Sequence, residues 1–506
     1  MPAVFGNEGN GGGGVPQAAT ARTKREATKI LPPNMLAPKN SVANVARDGL
    51  GYNAGFAGFL GLICRVSAAG FDFPVAYCLI AGSLSGREAP VAAEPVAVEN
   101  EPDDAVSGAD DPASRPAVTL LPGGHRRVDS GHPWVYSNEV RMDPAAKALA
   151  PGSLVTLRRP DERPLGVAMF NPHTLLAARL LDRDWARPIG RRFLTRRLER
   201  ALKLRERLYP APYYRLVHAE ADGLPGLVID RFGDVLVVQE NAAGIERLEE
   251  PLVAALTELL RPAAIVMRND SGARSLEGLP LETRVVHGMV SGPVRVEEGG
   301  VRFQADVIGG QKTGWFYDQR DNRDFIAGLA SGRRVLDLYS YAGGFALRAA
   351  EAGAGEVTGI DSSAPALALA SASADDNGLA DTCTFRRGDV FAEAQRLAGS
   401  GERFDVVVAD PPAFARSKRD APAALRGYRK LARMVASLTV PGGFAFLASC
   451  SHNVGAAEFA DVVRRGLADA GRTGRILRSS GAAPDHPVHP DLPESAYLKA
   501  LTLTID

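Results

Sequence analysis

The sequence predicts an α/β protein whose C-terminal part is a doubly wound, mostly parallel sheet, preceded by a small β barrel and a small central α/β unit. Three observations carry that expectation. Beyond about Val301 short apolar runs alternate with helical segments, giving strands at 334–338, 356–360 and 382–386 and an Ala-rich helix over 364–377. Two further runs, 404–409 and 442–449, are continuously apolar, as strands buried on both faces of a parallel sheet are. Between Pro116 and Leu180, four short strand-like runs at 117–121, 153–157, 165–170 and 175–180 are separated by turn residues, the pattern of a small barrel.

The remaining elements follow in order. A helix is expected over 189–209. Strands near 227–230 and 235–240, a helix near 245–260 and a strand at 264–268 make the central unit. The expected division is 1–115 as an extension, 116–188 as the barrel, 189–300 as the central unit and 301–506 as the parallel sheet. The extension opens with Gly9-Asn10-Gly11-Gly12-Gly13-Gly14 and shows no sustained period. Its apolar patch at 55–64 is too short for a membrane span and too deep for a signal peptide. Residues 88–111 are acidic and rich in Pro and Ala, a linker composition. The segment reads as a disordered extension, or as residues upstream of the natural start, and nothing in it implies a membrane partner.

The chain is 45% apolar and 23% charged with zero formal net charge, which excludes a global nucleic-acid signature. The distribution is less even. Between Arg179 and Arg207 eleven Lys or Arg stand against four Asp or Glu. Arg191, Arg192, Arg196 and Arg197 fall on one part of the expected helix. They form either a phosphate-tracking surface or a solvated face paired with neighbours such as Glu199 and Glu206. The four cysteines, Cys64, Cys78, Cys383 and Cys450, are widely spaced without a CxxC pair. That argues against a disulfide framework and a bound metal, and for a reducing, cytoplasmic setting.

The chemistry lies at the carboxyl ends of the expected parallel strands, where such sheets bind ligands. The first strand runs into Asp337-Leu338-Tyr339-Ser340-Tyr341-Ala342-Gly343-Gly344-Phe345, a tight Gly turn before a helix. It is neither GxGxxG nor a phosphate loop with its Lys, which argues against NAD and ATP. Asp361 ends the second strand, where a carboxylate accepts from two ribose hydroxyls. Asp389 follows the third, within reach of an adenine amine. Together the three strand ends favour S-adenosylmethionine as cofactor. Asp410-Pro411-Pro412 ends the fourth strand as a rigid rim for a planar base, with Phe414 either stacking on that base or capping the core. Cys450 ends the fifth. A lone Cys is more often a small core residue than a nucleophile; Ser449, Ser451, His452 and Asn453 around it suggest a polar strand end open to solvent.

Several further blocks carry a family resemblance. Gly131-His132-Pro133-Trp134-Val135-Tyr136-Ser137 is similar to the opening of a PUA domain. Asp222-Gly223-Leu224-Pro225-Gly226-Leu227-Val228-Ile229-Asp230-Arg231-Phe232-Gly233 resembles a central-domain signature. Gln311-Lys312-Thr313-Gly314-Trp315-Phe316-Tyr317-Asp318-Gln319-Arg320 resembles the opening of the catalytic domain, and Asp485–Val488 with Glu494–Lys499 its C-terminal end. From about Ala117 to Asp506 the chain resembles the bacterial ribosomal-RNA cytosine carbon-5 methyltransferases that carry a PUA domain. The extension lies outside that pattern.

The resemblance implies a class I methyltransferase domain with a Rossmann-like sheet, S-adenosylmethionine, and a cytosine of large-subunit ribosomal RNA as target. It implies Cys450 as nucleophile, since Ser449-Cys450-Ser451 matches the family motif, and Asp410 as its partner at the base. Tyr339, Gly343, Gly344, Phe345, Gln319 and Arg320 join Asp337, Asp361 and Asp389 in the expected cofactor site, and Pro411, Pro412 and Phe414 flank the base. Asp410, water and His452 are candidates for removing the carbon-5 proton. A guanine N-methyltransferase on the same fold and a non-catalytic RNA-binding assembly factor are the rivals. A homodimer is compatible with the sequence.

Overall fold

The computed structural model describes residues 110–415 and 417–506. The expected extension lies outside the described residues apart from 110–115. Strands of the C-terminal sheet are β1 Arg334–Leu338, β2 Glu356–Asp361, β3 Cys383–Arg387, β4 Phe404–Ala409, β5 Thr439–Ser449, β6 Gly474–Ser480 and β7 Lys499–Ile505. Their order in space is β3-β2-β1-β4-β5-β7-β6. β1 to β5 are parallel, and β7 runs antiparallel between β5 and β6. The order reverses between β1 and β4, so the ligand crevice opens above those two strands.

Burial explains the apolar runs. Along β1, β4 and β5, Leu336, Leu338, Val407, Ala409, Ala445 and Leu447 face one core with the helices Val390–Gly399, Ala421–Leu438 and Ala456–Asp469. The alternate residues Val335, Val406, Val408, Phe446 and Ala448 face a second core with the helices Arg320–Ala327 and Gly344–Glu351. Successive side chains of a strand point to opposite faces, and here both faces are covered.

The N-terminal sheet joins Ala117–Thr119, Ser153–Arg158, Pro164–Phe170, Leu176–Asp182 and Trp134–Tyr136 in that spatial order. The central sheet has five strands in the order Glu282–Gly288, Ala264–Asn269, Val235–Glu240, Leu227–Phe232, Tyr213–His218. One of its faces buries Ile229, Leu236, Val238, Ile265 and Met267 under the helices Arg191–Leu208 and Glu249–Leu260. The other buries Phe232, Val237 and Val266 under a hairpin, Val294–Glu298 with Val301–Ala305, which also touches Trp315 and Leu347.

Packing crosses two of the expected boundaries. The division at 300/301 cuts the Gly299-Gly300 turn of that hairpin, whose strands pair as Glu298 with Val301. The hairpin packs between residues of the central sheet and Trp315 and Leu347 on the C-terminal side. The division at 115/116 cuts a packed segment. Arg115 is buried, pairs with Asp110 and donates to the carbonyls of Trp185 and Arg187, while Asp110 accepts from the Ile189 N–H.

Buried ion pairs hold the sheets together. Arg215 grips Asp230 through two bonds of 2.8 Å, and Asp230 also accepts from the Thr313 hydroxyl at 2.5 Å. Arg205 grips Asp222 and donates to the Asp485 carbonyl at 2.9 Å, and Asp485 accepts from the Arg215 N–H. Asp222 and Asp230 come from the central signature, Thr313 from the block that opens the catalytic domain and Asp485 from the C-terminal end, whereas Arg205 and Arg215 lie outside the quoted blocks. Removing one partner of such a pair costs about 3–5 kcal/mol, because the other charge stays buried alone.

A chain that begins at Pro116 is expected to melt a few degrees below one that begins at Asp110, since the latter keeps the buried Arg115 bonds. Equal melting temperatures in parallel calorimetric scans would contradict the assigned role of residues 110–115.

Candidate active site

Pairing in register fixes the centre of the site. Ala409 of β4 lies opposite Leu447 of β5, so Asp410 and Cys450 leave neighbouring strands at the same sheet edge, Cys450 about two residues further along. Both line one cavity of about 310 Å³, within the usual size of small-molecule sites, roughly 300–1,000 Å³. Its wall also includes Tyr339, Gly344, Phe345, Asp361, Pro411 and Pro412. The structure therefore brings together most of the residues expected from the strand ends.

The loop after β1 is bent into an unusual path. Tyr339, Tyr341 and Gly343 have φ of 65°, 51° and 79°, and a non-glycine residue in that region is uncommon and strained. The bend is held by Asp361, whose carboxylate accepts from the Tyr341 N–H at 2.9 Å and from the Ser363 N–H at 2.8 Å. A carboxylate has about four acceptor positions, so the half-exposed Asp361 retains capacity toward the cavity. That capacity and the helix N-terminus at Gly344 fit a ribose-bearing cofactor. Gly343 is the turn residue behind the wall. Asp337 lies beneath the loop, accepting from the Ser340 hydroxyl and the Ala346 N–H at 2.7 and 3.1 Å. Burial pushes it up to about 7 against those two bonds, with Asp410 and Asp361 adding to the rise. Its Oδ1 is buried without a partner among the described residues.

Charge is tightly managed around the thiol. Burial pushes Cys450 up, Lys312 pulls it down, and Asp410 and Asp318 push it up further. Asp410 is pushed up to about 7 by burial and by Asp318, against Lys312 and a hydrogen bond from Gln319. Asp318 is also buried, yet Lys312, His486 and the Tyr497 hydroxyl hold it below the usual carboxylate range. Tyr497 donates to it at 2.5 Å. Two carboxylates in one cavity are thus driven apart, the arrangement that separates a proton acceptor from a fixed anion.

Several expected site residues do not line this cavity. Arg320 is one: its guanidinium lies over Tyr209 at 4.4 Å and Tyr317 at 5.3 Å and donates to the Tyr213 carbonyl. It joins the C-terminal and central sheets. Asp389 is outside the cavity wall and caps the helix Val390–Gly399, accepting from the Ala392 N–H at 2.9 Å. Phe414 stacks on Tyr428 at 4.6 Å and so caps the core. Ser449 and Ser451 do not form a solvent-facing rim; both are fully buried, and their hydroxyls bond the Tyr428 hydroxyl at 2.9 Å. His452 lies in a neighbouring cavity with Lys499 and Glu494, its ring 5.5 Å from Tyr497.

The basic helix divides as well. Arg197 bonds Asp182 at 3.0 Å and the Leu181 carbonyl at 3.2 Å, and Arg191 approaches Glu258 at 3.9 Å. Arg192 is half-buried and Arg196 exposed. The internally paired alternative therefore holds for Arg197. Sequence reasoning missed Lys312, Trp315, Phe316, Asp318, Tyr341 and Leu498 in the cavity wall. All but Tyr341 lie in two blocks quoted for their resemblance, which flagged the segments without showing that they meet.

A doubly wound sheet with this strand-end cavity, joined to a PUA-like module, defines an S-adenosylmethionine-dependent methyltransferase. Residues 260–504 match the S-adenosylmethionine-dependent methyltransferase family, and residues 118–183 match a PUA-like domain. The chain is 38% identical to ribosomal RNA large subunit methyltransferase I of Shewanella amazonensis over 77% of this chain and 99% of that one. It is 37% identical to the protein of the same name from Aeromonas salmonicida, over 76% and 98%. The chain belongs to the ribosomal RNA large subunit methyltransferase I family. Among solved structures, the fold is shared with a chain complexed with SAH, at TM-score 0.67 and 20% identity, covering 77% of this chain and 100% of that chain. A chain from Streptococcus mutans matches over the same shares at TM-score 0.65 and 20% identity.

Asp361→Ala is expected to weaken S-adenosylmethionine binding about ten- to a hundredfold, since hydrogen bonds to a charged acceptor contribute about 1.5–3 kcal/mol. Arg320→Ala is expected to leave that affinity within about twofold and to lower the melting temperature instead. Calorimetric titration of both variants separates the roles, and unchanged affinity in Asp361→Ala would remove it from the cofactor site.

Proposed function

We propose that this protein forms 5-methylcytosine in large-subunit ribosomal RNA through a covalent adduct between Cys450 and the target base. The observation that carries the reading is the shared cavity of Cys450 and Asp410 at adjacent strand ends. The names of the relatives support the RNA class, and the PUA-like module supports an RNA-holding surface outside the cavity.

Carbon 5 of cytosine is a weak nucleophile until a thiolate adds at carbon 6. Asp410, near 7, is matched to accept the Cys450 proton at neutral pH. The sulfur then bonds to carbon 6, the electrons of the 5,6 double bond move into the ring toward N3, and Asp410 returns the proton to N3. Carbon 5 is now electron-rich, and S-adenosylmethionine, when bound, supplies an electrophilic methyl group. Loss of the carbon-5 proton to water or Asp410 restores the double bond and expels the sulfur, and N3 gives its proton back. His452 does not share this cavity wall, which favours the other two acceptors. The rim of Pro411 and Pro412 is stiff and suits a planar base that has left its stack.

Mapping 5-methylcytosine in large-subunit ribosomal RNA from cells with and without the protein tests the reading. One site is expected to vanish without it and to stay absent when Cys450→Ala is supplied. Restored methylation by that variant, or a lost methylguanine in place of 5-methylcytosine, would overturn it.

RNA binding is expected to use the exposed Arg196 of the basic helix. In Arg196→Ala, the lost phosphate contact lowers the log–log salt slope by about 0.7–0.9. Arg197→Ala, which breaks the Asp182 pair, is expected to lower thermal stability and leave the slope alone. An unchanged slope in Arg196→Ala would move the RNA contact to the PUA-like module.

A further inference from the structure

The block Gln311–Arg320 contributes more to the cavity than its resemblance implies. Its backbone is pinned from two sides. The buried Arg268 donates to the carbonyls of Val307 and Gly310 at 3.0 and 2.8 Å, and Thr313 is tied to the buried Asp230. On the cofactor side, the Tyr341 hydroxyl accepts from the Gln311 N–H and donates to the Gly314 carbonyl, both at 3.2 Å. Gly314 has φ of 108°, and a Cβ there would stand 2.8 Å from the Asp306 carbonyl oxygen, so the turn admits only glycine. Lys312 rides on this turn with φ of 51°. Its ammonium lies 4.5 Å from the centre of the Phe316 ring and 3.8 Å from Asp318.

We propose that Lys312 is a positioning residue for the nucleophile: from the shared cavity wall its ammonium stabilises the negative charge that forms on the Cys450 sulfur during attack, and Asp318, fixed by the Tyr497 hydroxyl, holds the ammonium. The inference rests on Cys450 being the nucleophile. Lys312, Asp318 and Asp410 share the cavity wall with Cys450, and Tyr428, Tyr497, His452 and Lys499 pack on the residues that flank it. The carboxylates oppose ionisation of the thiol. Of the two lysines, Lys499 is engaged elsewhere, donating to the Ser451 carbonyl at 2.6 Å from the neighbouring cavity. Arg323, the other cation of the wall, is locked to Glu298. Lys312 is the cation placed to compensate the sulfur. When the thiol proton passes to Asp410, the negative charge moves from one neighbour of Lys312 to another, so the step leaves the cavity's net charge unchanged.

The test reads the thiol directly, in full-length protein without RNA or cofactor. The pH dependence of iodoacetamide alkylation is followed at the Cys450 peptide by mass spectrometry, with Cys383 as internal reference and circular dichroism as the folding control. An opposite charge nearby lowers a pKa by about a unit or more when shielded from water, and Lys312 is half-exposed. Lys312→Met is therefore expected to move the Cys450 profile up by about half a unit to one unit, slowing alkylation near neutral pH about three- to tenfold. Lys312→Arg is expected to retain the original profile. A Lys312→Met profile that superimposes on that of the unaltered protein, or a larger shift in Lys499→Met, would overturn the proposal. Neither outcome depends on which base of the RNA is methylated, so a failure here is distinct from a failure of the cytosine reading.

Discussion

The parallel pairing of β4 with β5, Ala409 opposite Leu447, decides where the reactive groups stand. The pairing leaves no freedom of one residue, because a slip would turn Val406 and Val408 from one core to the other. With both faces covered, the strands place polar residues at their ends, and the carboxyl ends carry those that line the cavity. Asp337, Asp361, Asp410 and Cys450 are all found at or next to those ends. The cavity is a consequence of sheet register before it is a consequence of any loop.

Concentrating acid groups at one buried edge raises their proton affinity, and the structure shows two responses. Asp337 and Asp410 are pushed up to about 7 by burial. Asp318 stays ionised because the block that carries it also brings Lys312 and because Tyr497 donates to it. That block is anchored by the central sheet, through Asp230 to Thr313 and through Arg268 to Gly310. The central unit thus has a chemical consequence as well as a structural one: it fixes the side of the cavity that faces the thiol. Arg320, sandwiched by Tyr209 and Tyr317, belongs to the same fastening.

Much of this was legible in the sequence, for identifiable reasons. The strands 334–338, 404–409 and 235–240 are short, mostly apolar runs, and the structure has them at those bounds. The strand Tyr213–His218 carries Arg215 and His218, the strand Gly474–Ser480 carries two arginines, and the strand Glu282–Gly288 is an exposed edge. None gives an apolar run, and all three are edge strands of their sheets. The hairpin before Ala305 was missed because its turn, Gly299-Gly300, coincided with the boundary expected from the change of pattern. Site residues at strand ends were legible from position alone. Arg320 was not, since only the fold shows that it turns toward Tyr209, and Lys312 was not, since its relation to Cys450 spans well over a hundred residues. The serines beside Cys450 misled, because a buried hydroxyl with a partner looks the same in sequence as one facing water.

The central claim is that the thiol of Cys450 bonds to the target base during the reaction. Large-subunit ribosomal RNA transcribed with 5-fluorocytidine tests it most directly, because fluorine at carbon 5 blocks the proton loss that frees the sulfur. Incubation with the full-length protein and S-adenosylmethionine, followed by denaturing mass analysis, is expected to give a protein–RNA species whose link maps to Cys450. Methylated RNA released without any covalent species, or a link at another residue, would contradict the account.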